Sequence, residues 1–227
     1  MKTFLLILII CSSALGGETV LFIGDSITEG LGVQSAERFV ERFRALGYQP
    51  VNAGVSGDYT DNAKNRLPAL LTAHKPTVVV IMFGTNDSGP QNAAGDPACP
   101  VDRYRENLLT MIGMCKANRA KVYLCTPIPA RHETWWRNVR IQPYVDAVRA
   151  ICAAKKKVTL IDNYRAWAEK NVSTGPYQPN SAVVSGDLLF THQHIPFVEG
   201  GNPGNYLHPN AAGHAFIFET MQKVIQP

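Results

Sequence analysis

Four residues in this sequence have the type and setting to do chemistry together. Ser26 closes the run Val20-Leu21-Phe22-Ile23-Gly24-Asp25, Gly57 stands in Ser56-Gly57-Asp58, Asn86 in Gly84-Thr85-Asn86-Asp87, and His208 precedes Pro209-Asn210. A serine hydroxyl is a weak nucleophile until a base takes its proton, so Ser26 calls for a histidine beside it. Attack on a carbonyl leaves a negative oxygen, and donors must converge on it. The backbone N–H groups of Ser26 and Gly57 and the side-chain amide of Asn86 can supply them, and glycine at 57 lets the backbone approach closely. The chemistry implied is acyl transfer through a serine. Asp25 and Asp87 are expected to hold their turns through side-chain to backbone hydrogen bonds.

Such a set works only if the chain brings distant residues to one place. Residues 20–23, 50–55, 77–83, 121–125 and 158–161 are short apolar runs that read as strands, and 77–83 is apolar on both faces, as a central parallel strand should be. Between them, residues 35–46, 61–74, 102–117, 139–154 and 164–169 read as helices, with a last helix over 211–224; Pro68 is expected to break or kink the second. Five alternations predict an α/β class, a three-layer α/β/α sandwich on a five-stranded parallel sheet. Ligands in such sheets sit at the carboxyl ends of the strands, which here carry Ser26, Gly57, Asn86, Thr126 and Asp162.

The sequence from Gly24-Asp25-Ser26-Ile27 with Gly30, through Gly57 and Gly84-Thr85-Asn86-Asp87, to His208-Pro209-Asn210 resembles the four blocks of the SGNH (GDSL-type) hydrolase family, in the family's order. The resemblance implies a flavodoxin-like fold and ester hydrolysis without metal or cofactor. It implies Ser26 as nucleophile, His208 as general base, and Ser26, Gly57 and Asn86 as the oxyanion hole. An ordinary α/β-hydrolase is excluded, because the sequence has no Gly-x-Ser-x-Gly elbow. In one respect the sequence departs from the family. Members usually carry an aspartate three residues before the histidine, and here that position is Asn205. In a serine protease the same replacement costs about 10⁴ in rate, largely through the wrong imidazole tautomer. Three readings stay open: a Ser26–His208 dyad oriented by Asn205 or a backbone carbonyl, a carboxylate from Asp162, Asp187 or Glu199, or a weak or inactive relative kept for binding.

Composition bounds the rest. With 45% apolar and 18% charged residues the chain is globular, and a net charge of +4 spread along it argues against a nucleic-acid partner. Residues 1–16 read as a secretory signal peptide: Lys2, an apolar run from Phe4 to Ile10 and small residues up to Gly16. Residues 17–227 then form a single domain, secreted or periplasmic, with no stable membrane insertion after cleavage. Its four cysteines, Cys99, Cys115, Cys125 and Cys152, suit either two disulfides or buried thiols. Loops 88–100, 126–138 and 172–204 are expected around Ser26, and Trp135 and Trp136 in the second are candidate platforms for a sugar ring. The substrate expected is a small-molecule or glycan ester, most of all an O-acetylated carbohydrate. The alternative is a lysophospholipase or thioesterase for longer acyl chains, or a glycan- or lipid-binding relative.

Overall fold

A computed structural model describes residues 17–130, 135–171 and 207–226. Five strands, β1 (Thr19–Gly24), β2 (Gln49–Gly54), β3 (Val78–Met82), β4 (Lys121–Cys125) and β5 (Val158–Ile161), form one parallel sheet in the order β2-β1-β3-β4-β5. The helices are α1 (Ser26–Glu29), α2 (Phe39–Arg42), α3 (Thr60–His74), α4 (Val101–Ala117), α5 (Trp135–Ala154), α6 (Asn163–Asn171) and α7 (Ala211–Gln222).

Both faces of the sheet are covered because β3 and most of β1 and β4 are apolar at successive positions, and alternate side chains point to opposite faces. Leu21 and Ile23 of β1, Val79 and Ile81 of β3, and Val122 and Leu124 of β4 pack with Leu67 of α3, Met111 of α4 and Val148 of α5. Their neighbours Val20, Phe22, Val78, Val80, Tyr123 and Cys125 pack on the other face with Phe39 of α2, Trp167 of α6 and Ile217 and Met221 of α7. This is the three-layer sandwich expected from the alternation of runs.

The region 35–46 is not the single helix that its spacing predicts. A 3₁₀ turn, Ser35–Glu37, is followed by Arg38 in extended conformation (φ −62°, ψ 136°), then by α2 and a second 3₁₀ turn, Phe43–Leu46. The extended Arg38 stops one turn and starts the next. The freed N–H of Phe39 donates to Nδ1 of His214, 3.3 Å away on α7. Conversely, α3 runs unbroken past Pro68 to His74. Pro68 is exposed, so the carbonyl four residues earlier that it leaves without a donor need not be buried. Helix α5 begins at Trp135, four residues before the expected start, and passes through Pro143. The four cysteines are free thiols. The sheet lies between Cys125 on one face and Cys99 and Cys115 on the other, which keeps these apart. Among the described residues no helix is long and apolar enough to cross a membrane.

Candidate active site

The strand order places β2 on one side of β1 and β3 on the other. In a sheet so ordered, the crevice at the carboxyl ends of β1 and β3 is where the connections diverge and where ligands bind. Ser26 follows β1 directly. Asp25 caps α1 by accepting the N–H of Ile27 at 2.9 Å, and Gly30, with φ 83°, ends the helix after one turn by donating to the carbonyl of Ser26. Ser26 is thereby held at the head of a helix of four residues. The opening must be tight: a Cβ on Gly54, the last residue of β2, would lie 2.1 Å from the N of Glu29. Glycine at 54 is what lets β2 lie against α1.

His208 arrives from the far end of the chain. Asn210 caps α7 by accepting the N–H of Gly213 at 2.9 Å, and the buried Ile217 and Met221 seat that helix on the sheet. His214 adds a second anchor, since its ring stacks on Phe39 at 5.8 Å while Nδ1 accepts the Phe39 N–H. The result is a contact of 2.7 Å between His208 Nε2 and Ser26 Oγ, across 182 residues of sequence. Both side chains are almost wholly buried. Burial pushes the imidazole of His208 down to about 4, partly offset by the negative charge of Glu29. The ring is therefore neutral at pH 7, the form that can accept a proton.

Gly57 and Asn86 follow β2 and β3, the strands on either side of β1. Gly57 has φ +77°, a left-handed conformation that L-residues adopt at a cost of about 1–2 kcal/mol. Among the described residues nothing lies within 4 Å of where a Cβ would be, and it is the left-handed conformation that calls for glycine. Asn86 lies in the turn after β3. Its Nδ2 donates to the carbonyl of Asp58 at 2.9 Å, which uses one of two amide hydrogens. The turn is braced by Asp87, whose carboxylate accepts from the N–H of Gly84 (3.1 Å) and from the N–H (3.0 Å) and hydroxyl (2.6 Å) of Thr60. Asp25 and Asp87 thus do the bracing expected of them. Burial pushes both carboxyls up, Asp25 to about 7 and Asp87 to about 6.

The other two strand ends serve the scaffold. Asp162 takes Arg149 Nε at 2.8 Å and Nη2 at 3.2 Å, and also accepts from Thr126 Oγ1 and the N–H of Arg165. It stands three strand spacings from β1, about 14 Å. A carboxylate so placed and so occupied is not available to orient His208, which removes Asp162 from the candidates. Asp187, Glu199 and Asn205 lie outside the described residues, as do the side chains of Trp135 and Trp136. Among the described residues no three His, Cys, Asp or Glu side chains are grouped to hold a metal ion. A groove of about 570 Å³ lies between α4 and α5, lined by Val101, Arg105, Val139, Gln142 and Pro143, and none of the four candidate residues lines it.

Sequence reasoning missed His214, whose Nδ1 accepts the Phe39 N–H from 175 residues away, and the ion pair of Arg66 with Asp58 at 2.8 Å, since no local pattern marks either.

A model of the GDSL-like Lipase/Acylhydrolase family matches residues 22–216. The esterase TesA of Pseudomonas aeruginosa is 35% identical over 125 residues, 52% of this chain and 59% of that protein. An acetylxylan esterase of Xylanibacter ruminicola is 32% identical over 153 residues, 54% of this chain and 31% of that protein. The matched stretches thus span less than two thirds of these relatives' lengths. Among solved structures, a catalytic mutant of Axe2, an acetylxylan esterase from Geobacillus stearothermophilus, superimposes with a TM-score of 0.69 at 22% identity, over 92% of this chain and 94% of that one, a likeness of fold.

Proposed function

The chain belongs to the GDSL-like lipase/acylhydrolase family, and from that premise we propose that it is a serine esterase that removes O-acetyl groups from carbohydrate outside the cytoplasm. The observation that carries the reading is the 2.7 Å contact between Ser26 Oγ and His208 Nε2 at the divergence of the sheet connections.

In this mechanism Ser26 Oγ attacks the ester carbonyl carbon while His208 Nε2 takes the hydroxyl proton. The carbonyl oxygen becomes an oxyanion held by the N–H groups of Ser26 and Gly57 and by the second amide hydrogen of Asn86. Collapse breaks the bond to the alkoxy oxygen, which leaves with the proton from His208. Water then attacks the acyl-serine, His208 takes its proton, and the carboxylate departs as Ser26 regains a hydrogen. The pair works as a Ser26–His208 dyad, with Asn205 at the position of the usual carboxylate.

The similarity to an acetylxylan esterase supports an acetylated sugar as substrate, and so do Trp135 and Trp136 as sugar platforms. Release of acetate from acetylated xylan, and of nitrophenol from p-nitrophenyl acetate, tests the proposal against Ser26→Ala. Wild-type turnover no higher than that of Ser26→Ala would sink it. A second reading, hydrolysis of longer acyl esters, draws on Val55, an apolar side chain 46% exposed two residues before Gly57. A nitrophenyl ester series separates the two: a maximum at acetate favours the first, and a maximum at octanoate the second. A binding-only relative would fail to take a fluorophosphonate label at Ser26.

A further inference from the structure

At the carboxyl ends of β1 and β2, one cation is engaged by backbone carbonyls and a carboxylate. Arg66 lies in the second turn of α3, half-buried. Its Nε donates to Asp58 Oδ2 at 2.8 Å, Nη1 to the carbonyl of Ala53 at 2.8 Å, and Nη2 to the carbonyl of Gly24 at 3.1 Å. Nη2 also lies 2.8 Å from Asp58 Oδ2, so Nε and Nη2 together hold that one oxygen. Gly24 ends β1 two residues before Ser26, Ala53 is the penultimate residue of β2, and Asp58 is the neighbour of Gly57.

Asp58 carries the connection further. Its other oxygen, Oδ1, accepts the N–H of Tyr59 at 3.0 Å, and its backbone carbonyl accepts Asn86 Nδ2 at 2.9 Å. Fixing Asp58 therefore fixes two things: the turn over residues 55–58 that carries Gly57, which the Asp58 N–H closes on the carbonyl of Val55 at 3.1 Å, and the plane of the Asn86 amide. An amide with one hydrogen tied to a fixed carbonyl points the other in a set direction. Gly57 itself meets no described atom within 4 Å of where a Cβ would be, so the placement of its N–H depends on the turn that Asp58 closes.

We propose that Arg66, acting through Asp58, is the positioning residue of the oxyanion hole, setting the Gly57 peptide and the Asn86 amide against the strand end that bears Ser26. This rests on the esterase reading of the site. Arginine suits the task because its guanidinium is a rigid planar fork that can serve several acceptors at fixed angles, which the single point charge of lysine cannot reproduce. The donors matter only once the carbonyl oxygen has become an oxyanion. Misplacing them costs transition-state binding and leaves ground-state binding nearly alone.

The test is steady-state hydrolysis of p-nitrophenyl acetate by wild type, Arg66→Met, Arg66→Lys, Asp58→Asn, Asn86→Ala and the double variant Arg66→Met/Asn86→Ala. Loss of one oxyanion donor lowers kcat by about 10²–10³. Arg66→Met and Arg66→Lys are expected to lower kcat by about 10²-fold with KM within about threefold, on the same grounds. On the Asn86→Ala background, Arg66→Met is expected to cost under about fivefold more, because the hole is already broken. A merely structural arginine would instead multiply its effect with that of Asn86→Ala. Should Arg66→Met not fold, Arg66→Lys and Asp58→Asn, which keep the charge or the shape, carry the same comparison. Unchanged kcat in folded Arg66→Lys and Asp58→Asn, or effects that multiply, would overturn the proposal while Ser26-dependent turnover by wild type leaves the esterase reading standing. Absence of Ser26-dependent turnover in wild type would overturn both.

Discussion

The two ends of the same sheet have opposite characters. At the carboxyl end, polar groups are buried: Asp25, Ser26, Asp58, Thr60, Asp87 and His208 are each less than a tenth exposed, and the contacts of Thr60 with Asp87 and of Ser26 with His208 run between elements. At the amino end, cations are exposed: Lys75 before β3, Lys116, Arg119 and Lys121 around the start of β4, and Lys155, Lys156 and Lys157 before β5. None of these seven forms an ion pair among the described residues. The difference teaches where the fold spends its polar side chains. Exposed lysines keep their water and contribute solubility, at little gain or loss in stability. Buried polar groups give up water, and each needs a partner of set geometry. A parallel sheet gathers such partners at one end because every strand finishes there.

The largest effects should divide the two ends most clearly. His208→Ala is expected to lower kcat/KM for p-nitrophenyl acetate by at least about 10³-fold, whereas Lys121→Ala and Lys156→Ala should leave it within about twofold. Steady-state kinetics on the three variants decides this, and a comparable loss in either lysine variant would break the contrast.

A second outcome concerns pH. Burial holds His208 at about 4 instead of 6.5, so the proton that disables the base binds only in strong acid. The limb of kcat/KM set by His208 should therefore have its midpoint near pH 4. A midpoint near 6.5 would show a solvated or carboxylate-paired ring. The same depression has a consequence for stability. The unfolded chain takes the proton at pH 6.5 and the folded one does not. The contribution of this group is thus full above pH 6.5 and is lost as pH falls from 6.5 towards 4. His214, which burial pushes down to about 3, acts in the same direction over a wider range.

The smallest effects come from two left-handed residues, one at each end. Gly57→Ala forces an L-residue to φ +77° and should destabilise by about 1–2 kcal/mol. Lys75, the cap of α3, already sits at φ 45°, so Lys75→Gly should stabilise by up to about 1 kcal/mol, the relief of strain less the entropy of glycine. Urea unfolding of both variants measures the two. Gly57→Ala should also slow turnover, and Lys75→Gly should not, if only one end does chemistry.

Much of this was legible in the sequence because it is local. Runs such as Val78-Val79-Val80-Ile81-Met82 are apolar at every position, and a parallel strand covered on both faces requires that pattern. The serine, glycine, asparagine and histidine could be picked out because each stands in a turn at a strand end or before a capped helix. Elsewhere, local signals misled. The helical spacing of Phe39, Val40, Phe43 and Leu46 correctly marked the buried side, but it could not foresee that Arg38 would be extended and that Phe39 would give its N–H to His214, 175 residues away.

By itself, then, the sequence determined the class of fold, the identity of the four candidate residues and the bracing of Asp25 and Asp87, since these follow from periodicity and turn chemistry within a few residues. Tertiary structure alone decided the 2.7 Å contact of His208 with Ser26, the loss of Asp162 to Arg149, and the fork of Arg66 that ties the ends of β1 and β2 to Asp58. Hydrogen bonds form between groups that packing brings within about 3 Å, and the burial of two apolar sheet faces, rather than any local pattern, sets which groups those are.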